Sequence, residues 1–268
     1  MIKCSKIISY HEMNSFSKYS SFEKNHFFVM STDRPYVFIH VIPSMDGKIT
    51  GNIFKTQSLL NLRPEYWKTK YNHEHDAWLV GRATFDSICT HNETVDLSNM
   101  KAECEEGDYI AKRNLDMVAI AVNPKGKLGW KENVAHYWGH DSDIIEVLTN
   151  QSTPQYRNYL RSIGISYIMC GDHDVDWKLM FSKLKNVFNI KAICVQGGGM
   201  INWSLMRTGL VDELSYVIAP TTDGRSTDVS FIRRNPEDTD SPPLEFDLID
   251  VQRVGDNGVW LRYAPKKN

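Results

Sequence analysis

Between residues 118 and 220 of the sequence, short apolar runs alternate with amphipathic stretches of about ten residues. The apolar runs have the length of strands and read "MVAIAV", "DIIEVLT", "ISYIMC", "KAICVQ" and "VDELSYVIAP". Helical signatures separate the last four runs, including a Ser/Thr cap, a proline in the first turn and a terminal glycine in "STPQYRNYLRSIG". Strands that alternate with helices predict a mostly parallel sheet with helices on both faces.

The flanking regions extend this pattern. "RPYVFIHVIP" predicts a buried strand, residues 57–71 a helix, and "DAWLVG" a second strand that turns into a short helix in "GRATFDSI". Residues 90–114 and 221–243 are polar and predict loops, and "LEFDLIDVQRVGDNGVWLRYAP" predicts an antiparallel hairpin that turns at Asp-Asn-Gly. We therefore expect an α/β domain over residues 34–268, preceded by an N-terminal extension of residues 1–33.

Composition excludes several classes of partner. The formal net charge is −2, so there is no basic surplus to neutralise nucleic-acid phosphates. No apolar segment approaches the roughly 18–20 residues that span a bilayer, and the N-terminus lacks the apolar run of a secretory signal. The five cysteines form no Cys-x-x-Cys pair. We expect a cytoplasmic protein with a small-molecule substrate and with no nucleic-acid or membrane partner.

Two pairs of histidines raise the question of a metal site. His73 and His75 form one pair, and His136 and His140 form the other. Neither pair has a third ligand nearby in the sequence, whereas zinc sites in proteins use three or four protein ligands. The sequence therefore predicts solvated or hydrogen-bonded histidines and no metal.

Three consecutive glycines, Gly197, Gly198 and Gly199, stand between the buried run "AICVQ" and a predicted helix. Unobstructed backbone N–H groups at a helix N-terminus favour binding of an anion, and the carboxyl ends of parallel strands are where α/β proteins bind ligands. The alternative is a tight turn that requires a positive φ. A run of glycines alone does not distinguish the two readings.

A second stretch repeats this architecture. A strand in "LVGRATFDSI" leads through Gly81 into a helix whose first turn carries Arg82 and Thr84, which could bind phosphate groups. Two such strand-to-helix junctions predict a ligand with several phosphates, such as a dinucleotide. Neither junction has the Rossmann fingerprint or the Walker A spacing.

A third stretch, "HVIPSMDGKITG", carries the candidate reactive end of the site. Asp46 is the carboxylate nearest the end of the first strand, and its loop could cover a flat ring. The alternative reading is an ordinary aspartate of an Asp-Gly turn.

Taken together, these stretches resemble a known family. "GRATFDSI" and "GGGMINWSL" are similar to the two cofactor-phosphate loops of dihydrofolate reductase. "RPYVFIHVIPSMDGKITG" and "GLVDELSYVIAPTTDG" resemble the opening and closing strands of the pyrimidine reductases of riboflavin biosynthesis, the reductase half of bacterial deaminase-reductases. The resemblance spans roughly residues 34–265 and implies a three-layer, dihydrofolate-reductase-like domain, NADPH as cofactor and a homodimer.

The resemblance also implies roles for individual residues. Gly81, Arg82 and Thr84 would hold the adenosine-side phosphates, with Arg82 on the 2′-phosphate. The pyrophosphate would lie on the N–H groups of Gly197, Gly198, Gly199 and Met200, and the nicotinamide carboxamide on the backbone of Ile42 and Ile49. The substrate side would comprise Ser44, Lys48 and Gln196, with Asp46 as catalytic residue, either an acid acting through water or a hydrogen-bond acceptor for the sugar.

Two departures from the family pattern bear on the substrate. Gln196 stands where these reductases usually carry glutamate, and residues 90–114 lack the usual Asp-x-Pro-x-Leu stretch followed by a phosphate-binding arginine. The deaminase signature of His-x-Glu with Pro-Cys-x-x-Cys does not occur in the sequence. We expect reduction of a ribosylaminopyrimidine-like or related heterocycle, with weakened binding of a phosphorylated one.

Two alternatives stay open. The first is a nucleotide-binding protein of the same fold that has no catalytic activity. The second is a dihydrofolate reductase, for which Glu65 on the first helix would have to be the pterin-binding carboxylate.

Overall fold

The computed structural model describes residues 33–137, 139–236, 238 and 240–266. Almost all of the predicted N-terminal extension lies outside the described residues. The described chain contains ten strands: β1 (Tyr36–Val41), β2 (Ala77–Gly81), β3 (Val118–Val122), β4 (Val134–Tyr137), β5 (His140–Leu148), β6 (Ser166–Met169), β7 (Ala192–Val195), β8 (Glu213–Ile218), β9 (Phe246–Val254) and β10 (Gly258–Pro265).

Five α-helices accompany these strands: α1 (Gln57–Tyr71), α2 (Arg82–Phe85), α3 (Pro154–Ser162), α4 (Trp177–Asn186) and α5 (Gly199–Arg207). A 3₁₀ turn, Gly51–Lys55, precedes α1, and a π-helical turn, Asp86–Thr90, continues α2. The side chain of Thr153 caps α3 and that of Asp176 caps α4, each by accepting a backbone N–H of the first turn. None of these helices is long and apolar enough to cross a bilayer.

All ten strands form one sheet in the order β4-β5-β3-β2-β7-β1-β8-β10-β9, and β6 also pairs with β5. The pairings among β1, β2, β3, β5, β6, β7 and β8 are parallel, whereas β4, β9 and β10 pair antiparallel. Strands β2, β7 and β1 therefore lie side by side and end at the same edge of the sheet.

Side chains that alternate along the strands build a core on each face. Val37 and Ile39 of β1 pack into a cluster with residues of α4 and α5. Trp78 and Val80 of β2 point to the opposite face, where the cluster includes residues of α3. On that same face, residues of α1 pack against β8 and β10. The predicted α/β class, with helices on both faces and a terminal hairpin, is confirmed.

Two local predictions need correction. The sequence did not indicate β4, whose four residues form an edge strand only because β5 pairs with them. In the terminal hairpin, Gly258 belongs to β10 and pairs with Val254, so the turn is Gly255-Asp256-Asn257. Gly255 takes a positive φ of 54° in this turn.

Residue 90 ends the π-helical turn, and residues 91–114 contain no helix or strand, so the predicted loop is one residue shorter than expected. This excursion is attached to α3 and β6: Arg161 forms an ion pair with Glu105 at 2.8 Å, and Tyr109 exchanges backbone hydrogen bonds with Tyr167 at 2.9 Å. It packs against a part of the sheet that is separated by several strands from the ends of β1 and β7.

A buried ionic network lies at the start of β8. Glu213 is 2% exposed, and its carboxylate accepts hydrogen bonds from Nε and Nη2 of Arg262 at 2.7 and 2.8 Å. His73 Nε2 lies 3.0 Å from the same carboxylate. Burial alone would raise the pKa of Glu213, but the hydrogen bonds and charges of Arg262 and His73 outweigh it and lower the pKa to about 2.

We predict that Glu213→Gln destabilises the protein by about 3 kcal/mol at pH 7, because it leaves a buried guanidinium without its anion. The folded-state pKa is lowered, so the stabilisation is fully present above the unfolded value near 4.5 and is lost as pH falls towards 2. Urea unfolding at several pH values measures both effects. Glu93→Gln, which breaks the exposed pair with Lys131, should cost less than about 1 kcal/mol, and equal effects of the two variants would contradict the prediction.

Candidate functional site

The loops that follow β1, β2 and β7 meet at one edge of the sheet, because these strands are parallel neighbours. The backbone N–H of Gly81 donates to the carbonyl of Gly197 at 3.0 Å, and that of Gln196 donates to the carbonyl of Leu79 at 2.9 Å. The two strand-to-helix junctions singled out in the sequence are therefore in direct contact.

Each of the three glycines meets a different requirement. Gly197 takes a φ of +100°, which L side chains rarely adopt. A Cβ on Gly199 would lie 2.1 Å from the carbonyl oxygen of Ser230, so this glycine allows another backbone segment to pack on α5. A Cβ on Gly198 would meet, among the described atoms, only the hydroxyl of Thr84 at 3.9 Å. Gly198 is thus the glycine that faces open space at the N-terminus of α5.

Gly81 is explained by packing. A Cβ at this position would lie 2.7 Å from Cγ1 of Ile201 on α5, so the glycine lets the two junctions approach. Arg82 is half-exposed and forms an ion pair with Asp86, one turn later on the same helix. Thr84 points its hydroxyl towards Gly198, across the space between the junctions.

Asp46 lies exposed in the loop after β1, and its carboxylate is held from two sides. The buried hydroxyl of Ser44 donates to Oδ1 at 2.5 Å, and the backbone N–H of Gly224 donates to Oδ2 at 3.0 Å. The hydrogen bond from Ser44 is the main cause that lowers the pKa of Asp46 to about 2. The carboxylate is therefore ionised at neutral pH, which favours a role as acceptor over one as acid. Ser44 also accepts the backbone N–H of Lys48 at 2.9 Å, so its hydroxyl orders the loop.

The chain between β8 and β9, here called the β8–β9 segment (residues 219–233), packs over this loop and over the glycines. Ile49 donates its N–H to the carbonyl of Val229, and Phe231 donates to that of Gly47, both at 2.9 Å. Arg233 donates to the carbonyl of Gly199 at 3.1 Å. The ammonium of Lys48 reaches the same segment, 3.4 Å from the carbonyl of Asp228 and 3.5 Å from the hydroxyl of Ser230.

Gln196 faces α1. Its Nε2 donates to the hydroxyl of Tyr66 at 3.0 Å, and its Oε1 lies 3.5 Å from the ammonium of Lys70. Lys70 is 5% exposed, and desolvation lowers its pKa. The site thus has a buried cation, which the sequence analysis missed. The helical spacing of Leu62, Tyr66 and Lys70, which places them on one face of α1, could have indicated it.

The remaining predicted residues lie around this edge. The side chain of Ile49 is 3.9 Å from a Cβ built on Gly197, Met200 is exposed in the first turn of α5, and Ile42 directly follows β1. Glu65 pairs with Lys68 at 2.6 Å and contacts the hairpin at Gly255. Glu65 therefore lies at the turn between β9 and β10.

Two other candidate features lie outside this edge. A cavity of about 260 Å³ lies between residues 88–93 and 129–136 and contains none of the predicted site residues. No group of three or more His, Cys, Asp or Glu side chains in the described part of the chain could hold a metal ion.

We predict that Gly199→Ala lowers stability by about 1–3 kcal/mol, because the new methyl must displace Ser230. Gly198→Ala should change stability by less than about 0.5 kcal/mol, since the methyl enters open space. Thermal or urea unfolding of the two variants provides the comparison. Equal losses would show that the glycines have one common structural cause.

Comparison with known proteins identifies relatives. The family model of the RibD C-terminal domain matches residues 35–259. The 2,5-diamino-6-ribosylamino-4(3H)-pyrimidinone 5′-phosphate reductase of Aquifex aeolicus is 27% identical over 192 residues, which cover 72% of this chain and 80% of that protein. The reductase of the same name from Saccharomyces cerevisiae is 26% identical over 203 residues, which cover 73% of this chain and 77% of that protein.

Solved structures share the fold. The riboflavin biosynthesis reductase Rib7 of Saccharomyces cerevisiae superposes with a TM-score of 0.54 at 22% identity, covering 88% of this chain and 92% of that one. RibD of Acinetobacter baumannii gives a TM-score of 0.56 at 20% identity, with 88% of this chain covered. This chain spans only 59% of that RibD chain. The match over residues 35–259 confirms the resemblance seen in the sequence, and the chain belongs to the RibD C-terminal domain family.

Proposed function

We propose that the protein is an NADPH-dependent reductase that transfers hydride to the sugar of a ribosylaminopyrimidine 5′-phosphate in riboflavin biosynthesis. The observation that carries this proposal is the open space above Gly198, at the N-terminus of α5 and facing Thr84. Curated relatives that are 26–27% identical to the chain over the aligned residues are named as reductases of such a compound.

The residues at this edge fit a dinucleotide. Free N–H groups at the start of α5 and the positive end of its dipole suit a pyrophosphate, and a Cβ on Gly198 would enter the space that it needs. Arg82, which uses only Nη1 for Asp86 in the described hydrogen bonds, has further N–H donors for a 2′-phosphate. When bound, the nicotinamide supplies the hydride, and the protein supplies binding and orientation.

On the substrate side, Asp46 accepts hydrogen bonds. Its ionised carboxylate, held by Ser44 and the N–H of Gly224, is set to bind a sugar hydroxyl. The β8–β9 segment, tied to Ile49 and Gly199, keeps this loop close to the glycines. We therefore assign Ser44 the role of positioning Asp46, with Lys48 and Gln196 at the border of the substrate space.

A catalytically inactive nucleotide-binding protein is the rival proposal. An NADPH absorbance assay with the phosphorylated diaminopyrimidinone, its deaminated uracil form, its dephosphorylated form and dihydrofolate separates the two. Oxidation of NADPH with a ribosylaminopyrimidine supports the reductase. Cofactor binding without oxidation by any of these compounds supports the rival. A cytoplasmic location, which the sequence predicted, stays a prediction.

We predict that Arg82→Ala weakens binding of NADPH by about 1.5 kcal/mol, roughly tenfold, and leaves NADH unaffected, because NADH lacks the 2′-phosphate. Gly198→Val should abolish binding of both nucleotides in a folded protein. Fluorescence or calorimetric titration measures these affinities. Arg207→Ala is the matched control, since Arg207 is as exposed as Arg82 and also pairs with an aspartate. Arg207 lies at the C-terminal end of α5, whereas the proposed pyrophosphate site is at the N-terminal end. Equal affinity of the wild type for NADPH and NADH would refute the assignment of Arg82.

Asp46→Asn should lower turnover roughly ten- to a hundredfold by weakening a charged hydrogen bond, with little change in NADPH affinity. Because the pKa of Asp46 is about 2, this carboxylate should cause no fall in kcat/KM between pH 8 and pH 5; its protonation needs far lower pH. Steady-state kinetics over this range measure both. Asp96→Asn, an exposed carboxylate in the 90–114 excursion, is the control. Unchanged turnover in Asp46→Asn would remove its assigned role.

A homodimer is the proposed assembly. Leu248, Val251 and Val259 are 55%, 55% and 37% exposed, and their register pairs place them on one face of the β9–β10 hairpin. Because β9 ends the sheet, a second copy could cover this face.

Sedimentation should give twice the chain mass of 30.9 kDa at micromolar concentration. Val251→Glu should shift the protein to monomer, because it places a charge in the proposed interface, while Val187→Glu at the exposed end of α4 should not. A wild-type monomer would contradict the proposal.

A further inference from the structure

Lys70 has an unusual environment for a lysine. It is 5% exposed on the face of α1 that packs towards the sheet, whereas Lys68, two residues earlier, is exposed and pairs with Glu65. Among the described residues no carboxylate forms an ion pair with Lys70, and its hydrogen-bond partner is the neutral Gln196, at 3.5 Å. The ammonium also lies over the ring of Trp67, 4.8 Å from its centroid, and this cation–π contact offsets part of the cost of burial. A buried ammonium without an anion is still unfavourable, so a further acceptor would stabilise it.

The buried imidazoles around Lys70 supply no negative charge. His40 and His75 are buried, and desolvation is the main cause that lowers their pKa values to about 3 and about 4, with the charge of Lys70 contributing. The pKa of His140 is lowered for the same two reasons. These imidazoles are therefore neutral near pH 7 and do not compensate the positive charge of Lys70.

A cavity of about 80 Å³ opens beside the ammonium. Its lining includes Lys70, the rings of Trp67 and Trp78, and Ser142. Asp141 also lines it, but its carboxylate is 57% exposed and pairs with His136 at 2.7 Å. The hydroxyl of Ser142 accepts the indole N–H of Trp78 at 3.0 Å and can itself donate. Since one water takes up about 30 Å³ of liquid, this space suits a phosphate or the carbonyl edge of a ring and excludes a whole nucleotide.

Gln196 contacts the ammonium beside this cavity. Its Nε2 is committed to Tyr66, which turns its Oε1 towards Lys70. A glutamate at this position would form an ion pair with Lys70 and cancel its charge, whereas glutamine orients the ammonium and leaves it positive. Because the lysine ammonium has three N–H donors and no acceptor, it favours an oxygen that accepts hydrogen bonds.

We propose that Lys70, oriented by Gln196, forms a subsite in which the ammonium donates hydrogen bonds to an oxyanion or carbonyl oxygen of the substrate. The proposal rests on the proposed reductase function. It adds a positively charged group for the substrate, since residues 90–114 lack the phosphate-binding stretch that is usual in the family. The oxygen belongs either to the 5′-phosphate or to the pyrimidinone carbonyl, which share this chemistry.

Kinetics of Lys70→Met with the phosphorylated and dephosphorylated intermediates test the subsite. Methionine keeps the length of the side chain and removes the charge, so KM should rise roughly ten- to a hundredfold with little change in kcat. A rise confined to the phosphorylated compound assigns the phosphate, and an equal rise for both assigns the carbonyl. Gln196→Glu should raise KM in the same direction by pairing with Lys70. Lys68→Met removes the same charge from the exposed side of α1 and should leave KM unchanged.

A binding measurement separates this proposal from the reductase function. With saturating NADPH present, so that the phosphate-binding groups proposed at Gly198 and Arg82 are occupied, inorganic phosphate or uracil is added as a probe of the oxygen. The probe should raise the Tm of the wild type and of Lys68→Met and should not raise that of Lys70→Met. If no pyrimidine oxidises NADPH, the reductase function fails while this measurement still decides the subsite. The subsite is overturned if Lys70→Met, folded by circular dichroism, keeps every KM within twofold or retains the probe-induced Tm shifts of the wild type.

Discussion

The backbone contact between Gly199 and Ser230 holds the candidate site together. A Cβ at position 199 would lie only 2.1 Å from the carbonyl oxygen of Ser230. The start of α5 and the β8–β9 segment can therefore pack this closely only if residue 199 is glycine. The same segment then bonds to the loop after β1 at Gly47 and Ile49. One close approach of two backbones thus connects the loop that carries Asp46 with the loop proposed to bind pyrophosphate.

The charges of the site are distributed unevenly around this contact. Asp46 is exposed and ionised, held by Ser44 and by the β8–β9 segment. Lys70 is buried on the face of α1 that packs on the sheet, and none of the described carboxylates forms an ion pair with it. Gln196 immediately precedes Gly197 and touches the ammonium, so it links the buried side to the glycines. A substrate that carries both hydroxyl groups and an acceptor oxygen would complement this arrangement at its two ends.

Membership in the RibD C-terminal domain family explains the architecture, and the departures from the family pattern gain a physical meaning from the structure. The excursion at residues 90–114 is fastened to α3 and β6 through Arg161 and Tyr109, some strands away from the glycines. The replacement of glutamate by Gln196 removes one negative charge beside Lys70. Both departures lie outside the loops proposed to bind the cofactor.

The sequence by itself determined the α/β class, nearly all of the strands and helices, and the two junctions at Gly81 and Gly197, because hydrophobic period, capping and glycine runs are local signals. It could not show β4, which is a strand only through its pairing with β5. It also could not tell the roles of the three glycines apart. Gly197 has a positive φ, Gly198 faces open space and Gly199 packs against the carbonyl of Ser230, but the sequence shows the same residue type at all three positions. Only the tertiary structure decided that Lys70 is buried beside Gln196, because that contact joins residues 126 positions apart through the packing of a helix on a sheet.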